Sequence, residues 1–529
     1  MFRSATLAAF IALSVSAPAW AQGPDVSAEG AAAMRAAIAD GLKRYFPNGE
    51  EDGTEFRWAG EPQVTPAGDR YDVALPALTV VTDEDTHFDV GTIQLKVVPK
   101  PDSAYAVEAT LPASMTMRNG DTPSGTLTIG SQRFTGVWSA AVENFMSADL
   151  AYGDLALVGD DDGALRIASF TATQDMRSDG PGTWGGPVAA ALSDVTLTDA
   201  QKTSLLKVAN IAMEATYGRI DLAKMAQFRT LAATHSAAGT EPSAAQILPL
   251  LGGMLGEAVM RTRITGLSAG NDEGRVAFDL ATFTLGVHDL DRDTSTTVLG
   301  FKGDGLKIEP LPGPKQFMPE RFDVQLSLGK LPNAAVGQAA VALAALEEQK
   351  KAHGDAEEGK ASPGNPKGRK IESEDDADDA MASAIGNVVM EAASRAGTEL
   401  RIDHLSLDTP ATSGSVTGAA RVASAAAFGA VGGANVVLRG LDAATNALKP
   451  KPGTKPDSET QQTLGMVEML KAMGQQGKDA AGNDVRTYKI DLTESGQILL
   501  NGADMSAMMG MGAAPTEPAP QPKRGSKKD

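Results

Sequence analysis

Apolar and polar positions alternate in short runs from Glu55 to Thr198, as in "RYDVALPALTVV", "FDVGTIQLKVV" and "LALVGDDDGALRIASFTAT". A period of two with turn residues between runs predicts antiparallel strands with one wet face. Asp160-Asp161-Asp162-Gly163 sits between two such runs, where Asp and Gly suit a tight hairpin. Before this region, Val26 to Phe46 carries apolar residues at helical spacing, and Pro47-Asn48-Gly49 stops that helix.

Beyond Thr198 the spacing switches back and forth. Helices are predicted over 200–216, 243–260, 334–351, 381–395 and 460–473, with strands over 263–331 and 401–439. The last apolar alternation, "RTYKIDLTESGQILLNG" at 486–502, reads as a β-hairpin with Tyr488, Ile490, Leu492, Ile498 and Leu500 on its dry face. Arg166-Ile-Ala-Ser-Phe-Thr171, Arg263-Ile-Thr-Gly-Leu-Ser268 and Arg401-Ile-Asp-His-Leu-Ser406 share a short pattern, and the last two each follow an apolar helix. The expected fold is therefore α+β: a long curved antiparallel β-sheet built from repeated helix-plus-strand units, with the helices packed on one face.

This pattern divides the chain. Residues 1–21 read as a signal peptide, 22–198 as a helix plus antiparallel β region, and 199–345 as a helix/β unit. Residues 346–380 are a disordered acidic insertion by composition, 381–447 a second helix/β unit and 448–459 a linker. A C-terminal helix and hairpin fill 460–510, and 511–529 form a Pro-rich, then basic, disordered tail.

Composition narrows the partners. Arg3, the apolar run Leu7 to Val15 and Ala19-Trp20-Ala21 form a secretory signal, too short in its apolar core to span a bilayer. Cleavage would release residues 22–529 into a bacterial periplasm, with no transmembrane segment left. The chain has no cysteine, which rules out disulfides and thiolate metal sites. A formal charge of −20 disfavours nucleic acid and anionic membrane as generic partners. Aromatics at 5% argue against an outer-membrane barrel with its aromatic girdles.

Motifs for chemistry are sparse. Gly266-Leu267-Ser268-Ala269-Gly270 matches the nucleophile-elbow pattern, which needs a strand-to-helix turn to expose its serine. The following "NDEGRVAFDLATFTL" predicts a turn and a strand instead, so Ser268 stands as a weak catalytic alternative with no geometry tying it to His288 or His404. Asp289, Asp291 and Asp293 resemble the start of a calcium loop, but Thr294 and Gly300 occupy the positions of its Gly and Glu. No two of the five histidines make a zinc-binding pair. Met505, Met508, Met509 and Met511 could hold a soft ion such as Cu(I), or serve as apolar filler beside the tail. No cofactor is expected.

The export signal, the β-runs interleaved with helices, the strand from Pro319 to Pro332 and the ending from Tyr488 to Gly502 together resemble bacterial envelope proteins of unknown function. The texture is YdgA-like and, more distantly, AsmA-like. AsmA-like proteins keep a membrane anchor, whereas the apolar start here reads as a cleaved signal. The resemblance implies a non-enzymatic periplasmic protein that handles lipid or another hydrophobic ligand, or serves as a scaffold for another envelope protein. The alternative is a serine hydrolase using Ser268.

Overall fold

The computed structural model describes residues 26–46, 55–82, 86–238, 240, 242–271, 273–311, 315–358, 372–449 and 458–505. The signal peptide expected over 1–21 and the tail expected over 511–529 lie outside them. The chain begins with helix α1 (Ala28–Tyr45), capped by the Ser27 hydroxyl, which accepts from the Gly30 N–H at 3.0 Å. Eight short strands follow. They are β1 (Glu55–Ala59), β2 (Gln63–Ala67), β3 (Arg70–Ala74) and β4 (Ala77–Val81), then β5 (Thr86–Gly91), β6 (Gln94–Lys100), β7 (Ala104–Thr110) and β8 (Ser114–Asn119).

Long strands then take over: β9 (Thr122–Ser139), β10 (Asn144–Gly159), β11 (Ala164–Asp175), β12 (Arg177–Gly180), β13 (Thr183–Thr198) and β14 (Ser204–Asp221). Helices α2 (Leu222–Ala237) and α3 (Ala244–Leu251) lead into β15 (Glu257–Gly270), β16 (Arg275–His288), β17 (Thr294–Asp304), β18 (Lys307–Glu309) and β19 (Arg321–Pro332). After α4 (Asn333–Glu358) and α5 (Glu372–Ala396) come β20 (Glu399–Asp408), β21 (Ser413–Val422) and β22 (Ala430–Arg439). The described chain closes with α6 (Leu441–Leu448), α7 (Ser458–Met473), β23 (Gln475–Lys478), β24 (Asp484–Leu492), β25 (Ile498–Leu500) and β26 (Ala503–Asp504).

Among the described residues all 26 strands join one antiparallel sheet. The expectation of an antiparallel β fold with helices holds in that form, and the chain is more β than α. From β9 to β24 the long strands pair in chain order, each with the next, as a meander. At β9 the sheet divides. Its first half pairs with β8 and its second half with β7, which starts two arms, β8–β5–β4–β1 and β7–β6–β3–β2.

The two arms and α1 enclose the main core. Ile38 and Leu42 of α1 meet Tyr71 and Val73 of β3, Val80 of β4 and Leu95 of β6, all buried. Each such side chain contributes about 1.5–3 kcal/mol by leaving water. Gly30 is required where α1 docks, because a Cβ there would collide with the Tyr71 hydroxyl. The same core runs on through Ile129, Leu150 and Tyr152 into the meander.

One irregularity runs straight across the sheet. In an undisturbed strand inward residues are two apart. Here inward residues fall three apart once per strand: Tyr152 and Leu155, Ile167 and Phe170, Leu192 and Val195, Val208 and Ile211, Ile264 and Leu267. The outer residue at each step is exposed, as at Asp154, Ala168, Asp194, Ala209 and Gly266. Alternate strands take the step through a left-handed residue, with φ of 54° at Asp154, 50° at Asp194 and 61° at Gly266. Their neighbours across the ladder are small, since a Cβ on Gly130 would lie 2.7 Å from that of Asp154. Because the long strands from β9 to β16 slip together, the pairing register survives on both sides of the line.

The slip corrects the sequence reading of 200–216. Inward Leu206, Val208, Ile211, Met213 and Ala215 mix steps of two and three, which imitates helical spacing, yet the segment is strand β14. The helix expected over 243–260 is shorter: α3 ends at Leu251 and β15 begins at Glu257. Helix α2 was not anticipated. The acidic stretch 346–380 is helical at both ends, α4 reaching Glu358 and α5 starting at Glu372, with 359–371 outside the described residues. After α1, the helices come in pairs that join strands consecutive in the meander. Pairs α2–α3 and α4–α5 leave from the strand ends at Asp221 and Pro332 and touch each other, while α6–α7 leaves from the opposite end at Arg439.

The slip line makes a test. A β-branched side chain is poorly tolerated at positive φ, so Asp154→Val is expected to cost about 1–2 kcal/mol while Asp154→Gly is neutral or stabilising. Urea midpoints of the two variants check this, and equal midpoints would remove the left-handed step as a constraint.

Candidate ligand-binding face

Directly opposed residues of an antiparallel pair point to the same side of the sheet. Following that rule from strand to strand gives one unbroken row across thirteen strands. It begins Phe134, Leu150, Ala172, Ala190, Met213, Thr262 and Phe283. It continues Phe301, Val324, Leu405, Val416, Val436 and Tyr488. Only Thr262 lacks an apolar or aromatic body.

The flanking rows on this face repeat the pattern. On one side Tyr152 of β10 is followed by Phe170, Leu192, Ile211, Ile264, Ala281, Gly303, Phe322 and Leu407. On the other, Val188 leads through Ala215, Met260, Leu285, Leu299, Leu326, Ile402, Gly418 and Ala434 to Ile490. A fourth row includes Tyr217, Val287, Leu328, Leu400 and Leu492. Past the slip line, Leu127, Leu157, Leu165, Leu197, Leu206, Ala269 and Val276 add another. Between β13 and β24 four rows make an apolar band of roughly 20 by 43 Å, from strand rise and spacing.

Cover is uneven along the band. At β9 and β10 the arms and α1 bury it, with Leu150 at 6% and Tyr152 at 7% exposure. From β15 to β20 it is more open, and Leu299 is 42%, Phe301 48% and Leu407 44% exposed, before α7 covers it again at Tyr488 of β24. Met213, Val276, Leu285, Leu400 and Ile490 are exposed as well. Every large exposed hydrophobic residue in a strand lies on this one face. Phe301 and Phe322 stack at 4.9 Å between ring centroids, with the Phe322 ring lying across Gly303, where a Cβ would fall 2.2 Å from it.

The opposite face is mostly polar or small, with Leu280, Val298 and Val437 as larger apolar exceptions. Its matching row runs Arg133, Ala151, Thr171, Ala191, Ala212, Arg263, Thr282, Lys302, Asp323, Ser406 and Ser415. The sheet is thus amphipathic along its meander, with hydrocarbon dominating one side and hydrogen-bonding groups the other.

The residues singled out in the sequence are scattered. Ser268 is a mid-strand residue of β15, opposite Lys207 and Ala277, and β15 turns directly into β16 with no helix after the serine. His288 lies at the end of β16, its Nδ1 3.6 Å from Glu257, and His404 Nε2 is 3.2 Å from the Ser406 hydroxyl. The Met505 N–H donates to the Ile498 carbonyl at 2.9 Å, and Met508, Met509 and Met511 lie outside the described residues. Asp289 and Asp291 turn toward Arg219, whose Nε and Nη2 donate to the two Asp291 oxygens at 2.9 and 3.0 Å. Asp289 accepts from Nη2 at 3.3 Å, and the Arg219 N–H donates to Asp179 at 2.6 Å.

That ion-pair group ties β12, β14 and the β16–β17 turn together at one end of the apolar band. Asn333 extends it by donating to the carbonyls of Asp289 and Arg292 at 3.0 and 2.8 Å. Arg219 gave no signal in the sequence, because its partners are about seventy residues away. Tyr488, expected in the core, is 6% exposed and donates to the Leu470 carbonyl at 2.7 Å. The hairpin of 486–502 pairs as predicted, Ile490 with Leu500 and Leu492 with Ile498. No family model, curated protein or solved structure matches this chain.

Two tests follow from these positions. A fluorophosphonate probe is expected to label the wild-type protein no more than Ser268→Ala, and selective labelling of the wild type would revive the hydrolase. The hydrogen bonds from Arg219 hold the Asp291 carboxyl below its ordinary range. A lowered folded-state pKa stabilises above the unfolded value and is lost as pH falls through it. Arg219→Gln should therefore lower stability by about 1–2 kcal/mol at pH 7, and the gap to wild type should narrow below about pH 4. Urea titrations at several pH values measure it.

Proposed function

We propose that the protein is a non-enzymatic binding protein of the bacterial cell envelope that carries lipid or a similar hydrophobic ligand along the apolar face of its sheet. The carrying observation is the continuity of that face: rows of Leu, Ile, Val, Phe and Ala cross the meander, and its exposed large residues gather there. Isolated exposed hydrophobics are ordinary, whereas a contiguous band of this size marks a surface that works covered. If each of the eight exposed strand residues recovers about 1 kcal/mol on being covered, the gain is about 8 kcal/mol, enough for roughly micromolar affinity before ordering costs.

The chemistry of the face favours hydrocarbon over a protein partner. Protein interfaces are enriched in Trp, Tyr and Arg and carry matched hydrogen bonds. In the four rows from β13 to β22 the groups able to hydrogen-bond are Thr262, Thr297 and Tyr217. An acyl chain asks for no polar complement. A scaffold role for another envelope protein is the second form of this reading. The helical hairpins between β14 and β15 and between β19 and β20 support the expectation of a recurring helix-plus-strand unit. A cleaved signal over 1–21 would deliver the protein to the periplasm.

Native mass spectrometry of protein purified from its own host, without detergent, is the direct test. Bound lipid is expected, and the triple variant Leu299→Glu, Phe301→Glu, Leu407→Glu should retain about a tenth as much, since each carboxylate in hydrocarbon is strongly disfavoured. These side chains are exposed, so melting of the variant should stay near wild type. A lipid-free native protein that also takes up no fluorescent fatty acid would end the proposal.

A further inference from the structure

We infer that the polar face of the sheet holds a separate site for a phosphate-class oxyanion, centred on Arg261 and Arg263. Two adjacent rows meet there. Arg263, Thr282, Lys302 and Asp323 stand opposite one another on β15, β16, β17 and β19, and Arg261, Thr284, Gly300 and Gln325 form the next row. Gly300 has no side chain between Thr284 and Gln325, so bare backbone floors a depression of about 310 Å³ walled by the longer side chains. A Cβ at Gly300 would press to 3.2 Å from that of Thr284, which keeps this floor free of larger residues.

The charges in the depression are incompletely matched. Lys302 reaches Asp323 at 3.8 Å. The side chains of Arg261 and Arg263 form no ion pair and no hydrogen bond among the described residues, although Glu214 stands opposite Arg261 in register. Arg133 pairs with Asp149 and Arg177 with Asp175, while Arg166, Arg275 and Arg421 stand singly on the sheet without an ion pair; what sets Arg261 and Arg263 apart is that two such arginines lie side by side over one depression. Three cations against Glu214 and Asp323 leave this spot positive in a chain of charge −20. Two like charges two residues apart on one strand repel, and an anion between them removes the repulsion.

The donor set specifies the anion. Guanidinium groups offer paired N–H donors that match the oxygens of phosphate, and Thr282, Thr284 and Lys302 supply further donors around the same space. The volume suits one tetrahedral group with a small substituent. Free phosphate and a phospholipid headgroup present the same chemistry. A headgroup here would touch the face opposite the apolar band, so this site is independent of the lipid reading.

Isothermal titration calorimetry of the full-length protein with inorganic phosphate tests the site. Millimolar-range binding is expected, weakened about tenfold in Arg261→Gln/Arg263→Gln and unchanged in Arg166→Gln, whose exposed arginine lies elsewhere on the sheet. Flotation with phosphatidylglycerol vesicles in phosphatidylcholine then separates the sources. Association that phosphate competes away, and that the double variant loses, assigns a headgroup, whereas phosphate binding without such association assigns the free ion. Circular dichroism confirms that the variants fold. Absence of phosphate binding, or binding that survives the double substitution, would overturn the inference.

Discussion

An antiparallel ladder forces opposed residues onto one side, and the architecture of this protein depends on that constraint. Once Leu150 is fixed in the core beside Tyr152, the backbone pairing carries apolar character from strand to strand as far as Tyr488. No individual contact spans that distance. The core between the two arms anchors the register, and each later strand inherits it from the one before. A one-residue error in any strand would turn its whole apolar set to water, so register is strongly specified wherever this face is covered. Past β14 that cover thins, and the pairing there rests on the backbone ladder and on bulges such as the one at Asp403 between β19 and β20.

The slip line shows how tightly the strands are coupled. A bulge in one strand alone would shift its register against both neighbours. Here the extra step recurs at the same level in successive strands, so the ladder keeps count and the apolar side stays the same on both halves. Left-handed residues at Asp154, Asp194 and Gly266 occupy alternate strands, and Gly130, Ala168 and Ala209 give them room. Aspartate and glycine accept this conformation more readily than other residues, which explains their presence within otherwise apolar strands.

Much of the fold was legible from periodicity. Short strands over 55–119, the helix at 28–45 and the hairpin of 486–502 are where alternation and turn residues put them, whereas the short runs from 122 to 198 merge into strands of up to 18 residues. The failures have a common physical source. In β14 the step from Val208 to Ile211 breaks the period of two and produces a helical spacing from strand residues. Helix α2 was invisible because its faces differ little in polarity, Phe228 and Leu231 being set among Lys224, Gln227 and Arg229. The apolar band itself was half legible. Each strand's dry side could be read locally, but that the dry sides merge into one surface depends on pairings between residues far apart in sequence. Arg219 and its aspartates, and the grouping of Arg263 with Lys302 and Asp323, were hidden for the same reason.

A broad uncovered apolar face should aggregate, and the rest of the molecule opposes that outcome. The net charge of −20 makes two copies repel at close approach, with a range of about one Debye length. Edges are also kept short: β1 and β2 have five residues each, β2 contains Pro66, and β25 and β26 have three and two. Such edges offer little backbone for a second sheet to extend. Stacking of two copies face to face would further bring both polar rims together, Arg219 with Asp289 and Asp291 at one end and Lys307 with Asp279 toward the other. A small neutral hydrocarbon meets neither obstacle. It carries no charge to be repelled and needs no free strand, so the features that keep copies apart leave the face open to lipid.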